Sequence, residues 1–512
     1  MTPAGLGPAL EVDLGALVPA TVFIPLAFSI LAALAPRASR TIGALGTLAN
    51  AAVALTLVAA VAADGTQRHV FGGWGLPLGL QVRADGLAAV FLALGAVVGS
   101  AITLYALADR RATTAADPHT PPGEGGPGQR GFWPTWLLLL AGLNAAFVAG
   151  DLFNAYVALE IVGLAAVGLV GLGGQKAWRA AFDYLIVAVA GSLLFLLAVG
   201  VVYSATGTLD MALAGERLTD PATRRLVLAL GLLGLAFKAA LVPLHGWLPA
   251  AHGSAPAAVS PALSGLVVKA AWVLSLRLWF EVTGPDRVLA VALGVLACAA
   301  VLWGGAQALR QEALKRLVAY STVAQVGYLY LVFPLTAFAT DDVIARAAWT
   351  GAVLMAVAHG LAKAALFMSA GTILNTLGSD RLVDVVGVSR TLPMVALASG
   401  VAAISLAGLP ISAGFAAKWQ LAIAGVAGGQ LWLVALLVLG ALLGSAYLLR
   451  PVATMFRDAD ESQEVGRRTP VRPRLLPQVA PLALAVLVVA LGLRATDVAA
   501  LALVGLPWGV AP

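Results

Sequence analysis

Apolar residues fall along this chain in blocks of about twenty, the length of a helix that crosses the hydrocarbon core of a bilayer. On that ruler the pattern predicts about fourteen spans. Their approximate limits are 15–35, 41–63, 85–108, 132–150, 152–173, 178–204, 223–243, 258–282, 286–307, 315–338, 343–376, 393–428, 430–454 and 476–507. The blocks 343–376 and 393–428 are too long for simple helices, so each is expected to contain a kink or an extra turn. The second carries Gly408, Pro410 and Gly414 in mid-span. Between the blocks, residues 66–84 alternate weakly around Gly72 and Gly73 and predict a short external hairpin. Residues 109–131, with the run PPGEGGPGQ, read as a flexible loop. No stretch has room for a nucleotide-binding domain.

Composition agrees with that pattern. Of 512 residues, 60% are hydrophobic and only 11% charged, against about 25% charged in a soluble domain. The fold class is therefore an all-α polytopic membrane protein. In such a chain a net charge of +6 does not point to nucleic acid, because positive residues collect in cytoplasmic loops. With the N-terminus outside, the cytoplasmic loops hold 18 basic residues, Lys315 among them, and the opposite side holds 8, Arg277 among them. Both termini are thus expected outside. Of the remaining five, Arg494 is placed to snorkel at the end of the last span, and four lysines lie deep in spans. The N-terminus has acidic residues and no basic run, unlike a cleaved signal peptide. The single cysteine, Cys298, excludes an intrachain disulfide and cysteine-ligated iron–sulfur or zinc sites.

The chain is organised around Leu233–Trp279, which is apolar yet carries Lys238, His245, His252 and Lys269, with Pro243, Pro249, Pro256 and Pro261 among them. A lysine at the centre of a span costs about 2.5–3.5 kcal/mol on insertion scales. Prolines free backbone groups that lipid cannot satisfy. Both are tolerable where the segment faces protein or water, the pattern of an ion path with discontinuous helices. A second interruption near 404–418 carries Lys418 and pairs with the first near 233–250, a pointer to inverted repeats.

Glu160 is an acid in mid-span and is read as the ion-pair partner of a lysine rather than a protonated core residue. Lys238 is the strongest proton carrier: burial disfavours its charge, a carboxylate restores it, and motion of the partner switches between the two. His245 follows it by seven residues; it either relays a proton or caps the broken helix. His252 is a further relay candidate, although its place near a span end favours capping. Lys269 lies too far inside its span to reach the interface. His359 and Lys363 share one helix face; with no acid near, they need water or backbone carbonyls. Lys418 reads as an entry or exit gate. Scattered histidines without a paired acid do not make a metal site, and no cofactor is expected.

The runs DLFNAYVALEIVGL, LVPLHGWLPAAHGSAPAAVSPALSGLVVK, ALKRLVAYSTVAQVGY, HGLAKAALFMSAG and LAGLPISAGFAAKW resemble the proton-translocating antiporter-like subunits. These are the large membrane subunits of respiratory complex I, of membrane-bound hydrogenases and of Mrp-type cation/proton antiporters. The resemblance covers roughly 85–455. It implies fourteen helices and two inverted five-helix repeats with broken helices, here 132–282 and 286–455, flanked by 1–131 and 456–512. It implies that Glu160 and Lys238 form the ion pair of the first half-channel, that Lys269 bridges, that His359 and Lys363 continue the axis, and that Lys418 is the terminal lysine. A lysine rather than a glutamate at 418 and no long arm after the last span disfavour two of the complex I members, and DLFNAYVALE with YSATGTLDMA and the overall length most resemble the D-type member of the Mrp antiporters, with the N-type member of complex I close behind.

The expected function is proton translocation in a multisubunit Na+ or K+/proton antiporter of a bacterial inner membrane. Its partners would be other integral membrane subunits, protons, the cation and lipid, with no nucleic acid. The alternative is the proton-pumping membrane subunit of a redox-driven complex. A purely structural scaffold is disfavoured, because each buried charge is costly to keep.

Overall fold

The computed structural model describes residues 14–75, 79–113, 127–458 and 474–506. In chain order the helices begin with α1 (Leu17–Leu34), α2 (Ser39–Asp64), α3 (Gly86–Ala108), α4 (Pro127–Val148), α5 (Leu152–Gly171) and α6 (Gln175–Thr206). A short α7 (Met211–Arg217) precedes α8 (Pro221–Ala239), α9 (Trp247–Ser254) and α10 (Val259–Thr283). Next come α11 (Arg287–Arg310), α12 (Leu314–Ala337), α13 (Asp342–Leu377), α14 (Pro393–Ala407) and α15 (Ala413–Ala427). The chain closes with α16 (Leu431–Phe456), α17 (Leu476–Leu493) and α18 (Ala495–Ala502).

Twelve of these stretches are long and apolar enough to cross a membrane. The sequence blocks 223–243 and 393–428 correspond to the two interrupted segments, α8–α9 and α14–α15: α9, α14 and α15 are too short to count, and α8, at 19 residues, carries Arg224, Arg225 and Lys238. The block 343–376 does not kink: α13 is one continuous helix of 36 residues. At 1.5 Å per residue it is about 54 Å long, so extra turns beyond the bilayer core absorb its length. The predicted hairpin is present, with β1 (Gln67–Val70) antiparallel to β2 (Gln81–Ala84). The N-terminal run, residues 114–126 of the predicted loop, the basic residues Arg467, Arg468 and Arg472, and the last residues lie outside the described residues.

Local chemistry explains where the helices start. Asp85, Asp151, Asp220, Asp286 and Asp341 cap α3, α5, α8, α11 and α13, each accepting from a first-turn backbone N–H. All five are odd-numbered spans in an up-and-down order, so the caps gather at one end of the bundle, the hairpin end. The inner packing is dense. The most apolar windows of α10 and α13 are fully buried, whereas those of α1, α6 and α16 are mostly open to the outside. Two of the lysines singled out in the sequence, Lys269 and Lys363, lie on these two helices.

At the hairpin end the chain buries a four-charge cluster that the loop count did not anticipate. Arg277, near the end of α10, is 1% exposed. It donates to Asp85, with the Nη2–Oδ1 bond at 2.9 Å, and to Glu281 at 2.7 Å. Arg83 of β2 pairs with the same two carboxylates. Arg277 is thus not a loop charge facing water; two carboxylates hold it inside the protein. Burial works against the Asp85 charge, but Arg277 and Arg83 outweigh it and hold this carboxyl below the usual range. The cluster fixes α10, α3 and the hairpin to one another. Arg277→Ala would strand two buried carboxylates, and a loss of about 3–5 kcal/mol is expected. The check is the thermal midpoint of the purified protein, which should fall well below that of an exposed control such as Arg225→Ala.

Candidate functional site

The first interruption puts a lysine at the end of a half-helix. α8 stops at Ala239 because Ala240 is left-handed, at φ 56°. That conformation costs a non-glycine residue about 1–2 kcal/mol. Lys238, the last residue but one of α8, donates to the Leu159 carbonyl at 3.3 Å and lies 3.6 Å from the Glu160 carboxylate. That separation is an ion pair, not a hydrogen bond. At an effective dielectric of about 20, charges this close attract by about 4 kcal/mol. α8 reaches α5 and α6 closely because of glycines. A Cβ on Gly191 would come within 2.6 Å of the Gly234 carbonyl, and one on Gly163 within 3.4 Å of the Lys238 ammonium. The carbonyl of Phe237, released by the break, receives the Trp247 indole N–H at 3.0 Å. His245 sits in the broken segment, its ring against the Pro243 carbonyl and its Nδ1 buried without a partner.

In the centre, α10 opens into a π-helical turn over Leu263–Val267, a distortion that misaligns backbone acceptors. Lys269 takes up the Ser264 carbonyl there, and its ammonium lies 2.6 Å from Nδ1 of His359 on α13. A lysine and an imidazole at that distance share one hydrogen bond and hold one proton between them. His359 Nε2 is buried without a partner. One turn further along α13, Lys363 donates to the Val318 carbonyl at 3.0 Å and to the Ser321 hydroxyl of α12. A carbonyl and a hydroxyl therefore hold Lys363, where no acid is near, whereas His359 is held by Lys269.

His252 differs from expectation. It does not cap a span end: it is fully buried, stacked on Phe367 at 4.3 Å between centroids, and neither ring nitrogen has a partner. Lys315 is not a loop residue either. The start of α12 turns it inward, and its ammonium donates to the Ala255 carbonyl at 2.5 Å.

The second interruption is built differently. α14 ends at Gly408 (φ 84°), Ile411 is also left-handed at φ 64°, and Ser412 caps α15. Lys418 reaches back from α15 and donates to the carbonyls of Leu406 and Ala407 at 2.9 and 3.0 Å. Its ammonium stands 4.6 Å over the Tyr328 ring. Gln325 of α12 donates to the same Leu406 carbonyl at 3.2 Å.

The structure thus joins Glu160 to Lys238 and Lys269 to His359, places Lys363 one helical turn from that pair, and sets Lys418 apart at its own break. Sequence reading missed Arg277, Lys315 and Gln325. Arg277 left a signal, a carboxylate four residues on inside the same apolar block; a neutral amide such as Gln325 leaves none. Among the described residues, no group of His, Cys, Asp and Glu is arranged to hold a metal ion. Gly408→Ala would force a left-handed alanine and bring its Cβ within 2.7 Å of Lys418 Cδ. A stability loss of about 1–2 kcal/mol is expected, readable as a lowered thermal midpoint that a Gly200→Ala control does not share.

Relatives agree with this architecture. Residues 149–444 match the family described as NADH:quinone oxidoreductase/Mrp antiporter, transmembrane. The chain is 36% identical to NADH-quinone oxidoreductase subunit N of Desulforudis audaxviator, over 84% of this chain and 83% of that protein. It is 30% identical to the D-type member of the Na(+)/H(+) antiporter of Bacillus subtilis, over 77% of each. A chain of the Mrp complex from Dietzia superposes with a TM-score of 0.84 at 26% identity, covering 96% of both. A polytopic bundle with two interrupted helices and buried lysines, matched along most of its length, belongs to the NADH:quinone oxidoreductase/Mrp antiporter transmembrane family.

Proposed function

We propose that this chain is the proton-translocating subunit of a multisubunit Na+ or K+/proton antiporter in a bacterial inner membrane. The observation that carries the reading is the series of buried amines with so little compensating acid. Glu160 alone faces Lys238, while Lys269, Lys363 and Lys418 are held by carbonyls, a hydroxyl and an imidazole. A structural role would favour neutral side chains at these positions, because each buried charge costs free energy. A transport role needs groups that lose the proton as readily as they hold it.

Protons enter a hydrated half-channel and load Lys238, whose charge Glu160 stabilises. When the Glu160 contact lengthens, about 4 kcal/mol of attraction is withdrawn and the proton moves on. Lys269 and His359 pass it through their shared hydrogen bond, Lys363 continues along α13, and Lys418 releases it. His245 and His252 are side relays, and the unpartnered ring of His252 suits that role better than capping. The repeats 132–282 and 286–455 would each carry one break, and both termini would lie outside, which puts the aspartate caps on the outer face.

A second reading has its own support. The oxidoreductase relative from Desulforudis has higher identity than the antiporter relative from Bacillus, which favours a proton pump driven by electron transfer in partner subunits. In both readings this chain moves ions and the partners are membrane subunits.

The test uses inverted vesicles that carry the whole native operon with wild-type or Lys238→Ala protein. A pH gradient is imposed, Na+ or K+ is added, and a fluorescent dye follows the collapse. Cation-triggered collapse that Lys238→Ala abolishes, with membrane insertion intact, is the expected result. A gradient built only by a redox substrate, and dependent on Lys238, selects the pump. Unchanged transport in the mutant would sink both.

A further inference from the structure

The two breaks solve the same problem with different chemistry. At the first, the carbonyl released at the end of α8 goes to an indole N–H, and the ammonium faces a carboxylate. At the second no carboxylate takes part. Two released carbonyls, Leu406 and Ala407, converge on one ammonium at 2.9 and 3.0 Å. Together with the half-charge of a helix C-terminus, they form a concave set of neutral oxygens that requires a positive charge at its centre.

Gln325 adds a further oxygen. The side chain is fully buried, and Nε2 donates to the Leu406 carbonyl. The opposite amide orientation would press two acceptors together, so Nε2 faces Leu406. Oε1 of this amide, which also lies by the Tyr447 hydroxyl, is left as a buried acceptor without a donor, which ordinarily costs about 1–3 kcal/mol. The Tyr328 ring completes the surroundings, and an aromatic face attracts an alkali ion as it does an ammonium.

We propose that the second break is a binding site for a monovalent alkali cation, with the Leu406 and Ala407 carbonyls and Gln325 Oε1 as ligands and the Lys418 ammonium as the internal competitor. When Lys418 gives its proton to water in the exit path, the neutral amine withdraws and one Na+ or K+ takes its place. One positive charge replaces another, so the site's charge is conserved. A divalent ion is disfavoured because such ions draw on carboxylates, and none contributes here. The inference rests on the antiporter reading and gives that reading a site of exchange within this chain.

The test is equilibrium binding of radioactive sodium and rubidium to the purified whole complex across a pH series. Affinity in the wild type should fall about tenfold per unit of acidification, one proton displacing one cation. In Lys418→Met, binding should persist and lose that dependence. Gln325→Leu should weaken binding about tenfold at every pH, and Gln325→Glu should strengthen it. If Gln325→Leu does not assemble, the other two variants decide. A wild type that binds neither ion, a Lys418→Met protein that keeps the wild-type pH dependence, or Gln325 variants with wild-type affinity would each overturn the proposal. If vesicles still exchange the cation for protons in those cases, the antiporter reading stands and its cation site lies elsewhere. Vesicles that exchange no cation would instead remove the antiporter reading itself.

Discussion

An ammonium group away from water needs oxygen around it, and in this bundle most of that oxygen is backbone. A regular helix uses its own carbonyls, so a carbonyl that turns to a side chain has to come from a helix end or a distorted turn, or accept a second bond. Lys269 uses a π-helical turn, Lys418 the end of α14, and Lys315 the end of α9. At these three lysines helix irregularity and buried amine occur together, whereas Lys238 and Lys363 add a second bond to carbonyls inside regular helices, Leu159 of α5 and Val318 of α12. At those three places the distortion without the amine would leave unpaired acceptors.

The same constraint separates the two halves. Lys238 depends on a side chain that can move, so its charge is adjustable. Lys418 depends on backbone atoms fixed by the end of a helix. A carboxylate can approach and recede, whereas a helix end always demands a cation. The first break thus holds its ammonium with a carboxylate and a carbonyl, the second with two carbonyls of a helix end.

The spans were legible in the sequence because twenty-residue apolar blocks have few other uses, and the blocks agree with α1–α6 to within a few residues. Glu160, Lys238, Lys269, His359, Lys363 and Lys418 stood out because charge in an apolar block is conspicuous. What failed to show was direction. Lys315 and Arg277 lie near block ends, where a flexible side chain can point to water or inward, and only packing decides. Gln325 was silent because a neutral amide in an apolar helix raises no alarm until its partners are known. The length of the block 343–376 left a kink and extra turns both open, and the helix takes the extra turns, because no proline in that stretch removes a backbone donor.

That unbent helix has a mechanical meaning. α13 is tied at one end through Trp349, which donates to the Ala502 carbonyl, and at the other through Asn375, which donates to Asp109. A rod pinned near both faces of a membrane cannot hinge. His359 and Lys363, mounted on it, can change only by turning about their own bonds, a matter of rotamers. Slower rearrangements of the backbone are left to the interrupted helices on either side. The protein therefore has a straight central axle between two jointed segments.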